Sequence, residues 1–209
     1  IATTEVKFAT VWTHRALWFI LRAAGLGRRS FGNPNGAWVS DMCGIAGFVG
    51  RGPPDLIERM TTVLNHRGPD DRGTAYFGGS PPAALGSTRL AIQDLSAAAH
   101  QPMRSHDGRL TLVFNGEIYN FPDLRAELEG KGHRFRSHGD TEVVLTLYQR
   151  HGSAMLERLN GMFAMAIWDA AAGELFLARD RFGEKPLYLF QPDASLYFAS
   201  EVKAFLQVP

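Results

Sequence analysis

Apolar positions recur in short blocks along most of this chain, and the period within the blocks switches between that of a strand and that of a helix. Cys43-Gly44-Ile45-Ala46-Gly47-Phe48-Val49 is a continuous run too short for a helix and predicts a buried strand in which small residues pack closely. Pro53-Pro54 then opens a helix, DLIERMTTVLNH, with Leu56, Met60, Val63 and Leu64 on one face. Short strands are predicted at 74–77, 83–91 and 110–114, punctuated by Gly78-Gly79 and Asp107-Gly108. A helix over Asp123–Lys131 follows, and a second begins at Asp140, a good N-cap residue, with Val143, Val144, Leu147 and Tyr148 inward. Strands return at Met162–Trp168, Leu175–Ala178, Leu187–Phe190 and Leu196–Ala199, with turns at 169–173 and 191–193. Many strands, segregated helices and hairpin-length connections predict an α+β fold with mainly antiparallel sheet.

The 209 residues, 45% of them hydrophobic, suffice for one full core plus appendages. A net charge of +1 argues for neither a nucleic-acid partner nor a polybasic membrane contact. The charge is uneven, however. Residues 1–41 carry five basic side chains against Glu5 and Asp41, whereas the remainder has 17 basic and 19 acidic residues. Segment 11–26 is apolar but interrupted by His14, Arg15 and Arg22, and its longest clean run, Ala16 to Leu21, is far short of the roughly 20 residues a bilayer requires. Ser30–Gly36 is dense in turn formers and reads as a linker. Residues 1–41 are thus expected to be an extension, either translated upstream sequence or a poorly ordered arm, and residues 42–209 the domain proper.

A single cysteine, Cys43, excludes an intrachain disulfide framework, and the histidines other than His66 (His14, His100, His106, His133, His138 and His151) show no paired ligand spacing, so no metal site is expected. A lone cysteine is most often an inert core residue. This one follows Met42. Were it the first residue of a mature chain, thiol and α-amine would share one residue, with reference pKa values of about 8.5 and about 7.7–8.0, close enough for the amine to take the thiol proton near neutral pH.

Several further stretches stand in order behind it: NHRGPDD, LGSTRLAIQDL, FNGEIYNFPDLR, GDTEVVL, LNGMFAMAIWD, ARDRFGEKPLYL and FASEVKAF. With MCGIAGFVG they closely resemble the glutaminase domain of glutamine-hydrolysing asparagine synthetase, a class II (N-terminal-nucleophile) glutamine amidotransferase. The resemblance covers about residues 42–209 and implies a four-layer αββα sandwich. It further implies hydrolysis of L-glutamine to glutamate and ammonia through a cysteine thioester on Cys43, with Asn115 and the Gly116 N–H as the oxyanion hole. The implied substrate clamp is Arg89 on the α-carboxylate, backbone at Leu90–Ile92, and Glu117 and Asp140 facing the α-ammonium.

Other readings stand beside these. Asn115-Gly116 alone would be a hairpin turn, Asp140 an N-cap that could serve both purposes, and Arg89 a solvated strand-edge charge. The loop at His66–Asp70 is expected to be a positioning or lid element, and Asp180–Pro186 a structural turn and interdomain surface. The family's second domain uses ATP and Mg to amidate aspartate. Its Ser-Gly-Gly-rich pyrophosphate loop does not occur in these 209 residues, so no cofactor is expected here and the synthetase domain is expected as a partner. The resemblance also implies a cytoplasmic protein without nucleic-acid or membrane partners and leaves room for a homodimer. Two alternatives are a catalytically silent glutamine-binding or scaffold domain, should the extension stay attached, and a glutaminase half serving a different acceptor.

Overall fold

The computed structural model describes residues 6–10, 42–90 and 96–209. The apolar segment 11–26, the linker at 30–36 and Ile92 lie outside the described residues.

Two five-stranded sheets face each other. The first has the order β1-β8-β7-β6-β5, built from β1 (Val6–Thr10), β8 (Glu174–Arg179), β7 (Gly161–Asp169), β6 (Leu110–Ile118) and β5 (Met103–Arg104). The second has the order β3-β4-β2-β10-β9, from β3 (Asp71–Phe77), β4 (Ala83–Arg89), β2 (Gly44–Val49), β10 (Leu196–Ala199) and β9 (Tyr188–Phe190). Every pairing is antiparallel except that of β1 along β8.

The layering follows from side-chain alternation. In β2 every residue is buried, because both faces are covered. Ile45 and Val49 join Leu85, Val113, Ala164, Ala166 and Leu177 between the sheets, while Ala46 and Phe48 face α1 (Pro54–Thr62). Strand β7 divides in the same way: Ala164, Ala166 and Trp168 enter the inter-sheet layer, and Phe163, Met165 and Ile167 face the other helices. Those helices are α2 (Phe121–Gly130) and α3 (Asp140–His151), which contribute Leu124, Leu128, Val143, Val144 and Leu147. The result is helix, sheet, sheet, helix, as expected.

The elements differ from expectation mainly at their ends. Strand β6 continues through Asn115-Gly116 to Ile118, paired residue by residue with β7, so Asn-Gly is not a turn. Gly116 is required there. A Cβ would lie 2.4 Å from the Met162 carbonyl oxygen and 2.7 Å from Phe163. Gly47 similarly lets β2 approach β4 and β10, with a Cβ at 2.5 Å from the Ala84 carbonyl oxygen and 2.4 Å from the Phe198 ring. Strand β3 starts at Asp71 rather than 74, and α1 stops at Thr62 before a series of turns. The chain after Glu201 continues as a 3-10 helix, Val202–Gln207. Strands β1 and β5 have no counterpart in the apolar pattern. Among the described residues no helix is long and apolar enough to cross a membrane.

Candidate active site

Antiparallel pairing places the start of β2 against the end of β4, since Gly44 pairs with Thr88. Cys43, one residue before β2, therefore sits beside Arg89 and Leu90. Its Sγ lies 3.8 Å from the Leu90 carbonyl oxygen. The end of β6 and the start of α3 complete a cavity of about 130 Å³. Cys43, Arg89 and Leu90 line one part of it, and Asn115, Gly116, Glu117 and Asp140 line another. Every sequence-predicted site residue among the described residues is thus brought together. Met42, to whose carbonyl the Cys43 nitrogen is bonded in this chain, lines the same cavity.

Burial pushes the Cys43 thiol above its ordinary pKa, and the nearby Arg89 and Lys185 charges only partly oppose this. The thiol accordingly needs a base to react near neutral pH. Asn115 is 1% exposed, and its side-chain nitrogen is buried without a hydrogen-bond partner. A buried N–H₂ left without an acceptor costs of order 1–3 kcal/mol. An occupant of the cavity carrying a negative oxygen would remove that cost.

Asp140 is the first residue of α3, and Gly139, not Asp140, is the N-cap. The carboxylate turns inward instead and accepts the Ile118 N–H at 2.9 Å. Burial raises its pKa from 3.8 to about 6, and the Glu117 charge adds to the rise against opposing hydrogen bonds. The reading of Asp140 as an N-cap is therefore corrected, and its ligand reading gains a desolvated carboxylate aimed at the cavity. Two residues on, buried Glu142 holds the preceding segment. It accepts the Ser137 N–H at 2.7 Å and the Ser137 hydroxyl at 2.6 Å, and Ser137 lines the cavity.

The loop at 66–70 is fastened in place. Pro69 bridges to Arg89, and the Asp70 N–H donates to the Arg89 carbonyl at 3.2 Å. Arg67 is 4% exposed; its Nε donates to the Cys43 carbonyl at 3.1 Å and Nη1 to Glu201 at 2.9 Å. Burial works against ionised Glu201, but Arg67, Lys203 and His66 outweigh it and bring the carboxyl down to about 2. Of the two roles expected for this loop, the contacts fit positioning.

Sequence reading missed Lys185. The Asp180–Pro186 turn is structural, as expected: the Asp180 carboxylate accepts the N–H groups of Phe163, Phe182, Glu184 and Lys185. That clamp, however, turns Lys185 into the cavity, 7% exposed, while Phe182 remains 85% exposed. Only Lys185's place five residues after a carboxylate that folds the backbone around itself could have signalled this. Nor does sequence spacing pair the histidines. Yet among the described residues His106, His133 and Glu142 bring ligand atoms within 4.8 Å of one another, and none of the three lines the cavity.

The family model of the glutamine amidotransferase domain matches residues 42–209. A putative glutamine-hydrolysing asparagine synthetase of Mycobacterium bovis is 42% identical over 179 residues, which cover 82% of this chain and 27% of that protein. Glutamine-hydrolysing asparagine synthetase 3 of Bacillus subtilis is 40% identical over 175 residues, covering 80% of this chain and 28% of that one. The chain thus spans little more than a quarter of the length of these relatives. Among solved structures, the glutamine phosphoribosylpyrophosphate amidotransferase of B. subtilis superposes with a TM-score of 0.69 at 26% identity, over 79% of this chain and 43% of that one. The αββα layering, the strand ends converging on Cys43 and these likenesses agree, and the chain belongs to the glutamine amidotransferase domain family.

Proposed function

We propose that the cavity hydrolyses L-glutamine and that Cys43 is its nucleophile. The observation that carries this reading is the buried, unpartnered side-chain nitrogen of Asn115 in the cavity that holds the only cysteine of the chain. Cys43 Sγ attacks the side-chain amide carbon, its proton passing to the α-amine that Cys43 has as a first residue. Asn115 Nδ2 and the Gly116 N–H donate to the oxyanion. The tetrahedral adduct collapses, the C–N bond breaks, and the ammonium proton leaves with the nitrogen as ammonia. Water then attacks the γ-glutamyl thioester, releasing glutamate and restoring the thiol. Arg89 grips the α-carboxylate with its fork, and Glu117 and Asp140 receive the α-ammonium. Lys185 adds positive charge beside the sulfur, favouring thiolate.

The same chemistry demands a free amine. With residues 1–42 attached, the Cys43 nitrogen is an amide and takes no proton, so that form is expected to be silent. In a longer protein resembling the asparagine synthetases, the ammonia would be passed to aspartate in an ATP- and Mg-dependent domain.

The test compares glutamate release by the chain beginning at Cys43, its Cys43→Ala variant and the form retaining residues 1–42. Release should require both the thiol and the free amine. Equal release with and without the Cys43 thiol would end the proposal.

A further inference from the structure

Outside the lining of the glutamine cavity, three residues distant in sequence converge. We propose that His106, His133 and Glu142 form a binding site for a single divalent transition-metal ion of the nitrogen-ligated, Zn²⁺-like class. The geometry of this site is independent of the glutaminase reading.

Their ligand atoms lie within 4.8 Å of one another, and His106 Nε2 is 3.4 Å from Glu142 Oε1. In a tetrahedral site with bonds of about 2.0–2.1 Å, neighbouring ligand atoms are about 3.3–3.4 Å apart. One edge of the polyhedron therefore already has the right length. Glu142 is oriented by its own hydrogen bonds: Oε2 accepts the Ser137 N–H and hydroxyl and the Arg136 N–H at 3.0 Å, and Oε1, which shares that Arg136 N–H at 3.2 Å, faces His106. The third ligand has a hydrogen-bonded neighbour too. With the Thr146 hydroxyl donating to the Glu142 carbonyl at 2.8 Å, it accepts from His133 Nε2 at 3.2 Å in the tautomer protonated there. In that tautomer Nδ1 carries the lone pair that a metal takes. His106, whose side chain is 49% exposed, supplies the freedom to close the remaining gap. An open cavity of about 540 Å³ over both histidines gives the ion a path and room for a water ligand.

Charge decides which ion fits. Arg134 and Arg150 line that cavity, and Arg136 Nε lies 3.7 Å from Glu142 Oε1. Asp107, hydrogen-bonded to the cavity residue Gln149, offsets them only in part. Binding driven by charge alone, as for Mg²⁺ or Ca²⁺, is disfavoured here, whereas two imidazoles supply coordinate bonds that Zn²⁺, Co²⁺ or Ni²⁺ exploit. An ion on Oε1 would also load the carboxylate that holds Arg136 and Ser137, and Ser137 lines the Cys43 cavity. The site is thereby connected to the glutamine pocket.

The experiment uses the 209-residue chain without a polyhistidine tag, in a Cys43→Ser background so that the thiol cannot ligate. Co²⁺ titration followed by visible absorption, and Zn²⁺ equilibrium dialysis, should each give one equivalent bound. His106→Ala, at an exposed side chain, should weaken binding at least ~100-fold, since losing an outer-shell partner alone costs 10–100-fold. Circular dichroism of that variant verifies the fold, and His106→Gln provides a second variant of the same ligand. Excess Mg²⁺ should not displace Co²⁺. Absence of stoichiometric binding, affinity unchanged by both His106 substitutions, or equal competition by Mg²⁺ would each overturn the proposal.

Discussion

Replacing Asp140 by asparagine should make this protein more stable and a worse binder of glutamine. Asp140 is 6% exposed, and its pKa stands at about 6 against an ordinary 3.8. At about 1.4 kcal/mol per tenfold change in proton affinity, that corresponds to about 3 kcal/mol. The sign is set by linkage. Between pH 4 and 6 the folded state holds this proton and the unfolded state does not, so stability falls as pH rises through that window, and the full penalty is present above about pH 6. The substituted amide would keep an oxygen for the Ile118 N–H and carry no charge. Urea unfolding should therefore show Asp140→Asn more stable than the parent by about 1–3 kcal/mol at pH 8, with the difference shrinking toward zero near pH 4. In the form beginning at Cys43, the same variant should raise KM for glutamine by tens to ~100-fold, the loss of a charge-assisted contact of about 2–3 kcal/mol to the α-ammonium. A variant less stable than the parent at pH 8, or a difference that ignores pH, would refute the reasoning.

Two further outcomes follow from β6. On the proposed oxyanion role of its amide, Asn115→Ala should lower kcat for glutamine hydrolysis by ~10²–10³ with little change in KM. Chemical denaturation should find the variant no less stable than its parent, since a buried donor without a partner is removed. Gly116→Ala should cost about 1–3 kcal/mol in the same unfolding assay, because the new Cβ meets backbone at Met162 that cannot rotate away.

Much of the architecture was legible in the order of residues. The continuous apolar run at Cys43–Val49 was legible as a buried strand and Met162–Trp168 as a strand, while the four-layer packing was implied by the family resemblance; the structure covers both strands on two faces. The local signals misled where tertiary pairing outweighed them. Asn115-Gly116 carries the strongest short-range turn signature, yet β7 supplies nine consecutive partners along β6 and keeps it extended. Asp140 has the chemistry of an N-cap, yet the Ile118 N–H competes for its carboxylate and wins.

The sequence alone determined the chemical parts: one thiol behind a methionine, an Asn-Gly pair, an arginine and two acids, in an order that resembles a glutaminase. Only the tertiary structure decided their state. It buried the thiol so that it needs a base, left the Asn115 amide without a partner, and desolvated Asp140 until its proton lingers to about pH 6. It also turned Lys185 inward and gathered His106, His133 and Glu142. The reason is physical. Residue type is local, but solvation and proximity are set by chain segments that meet only when the sheets close.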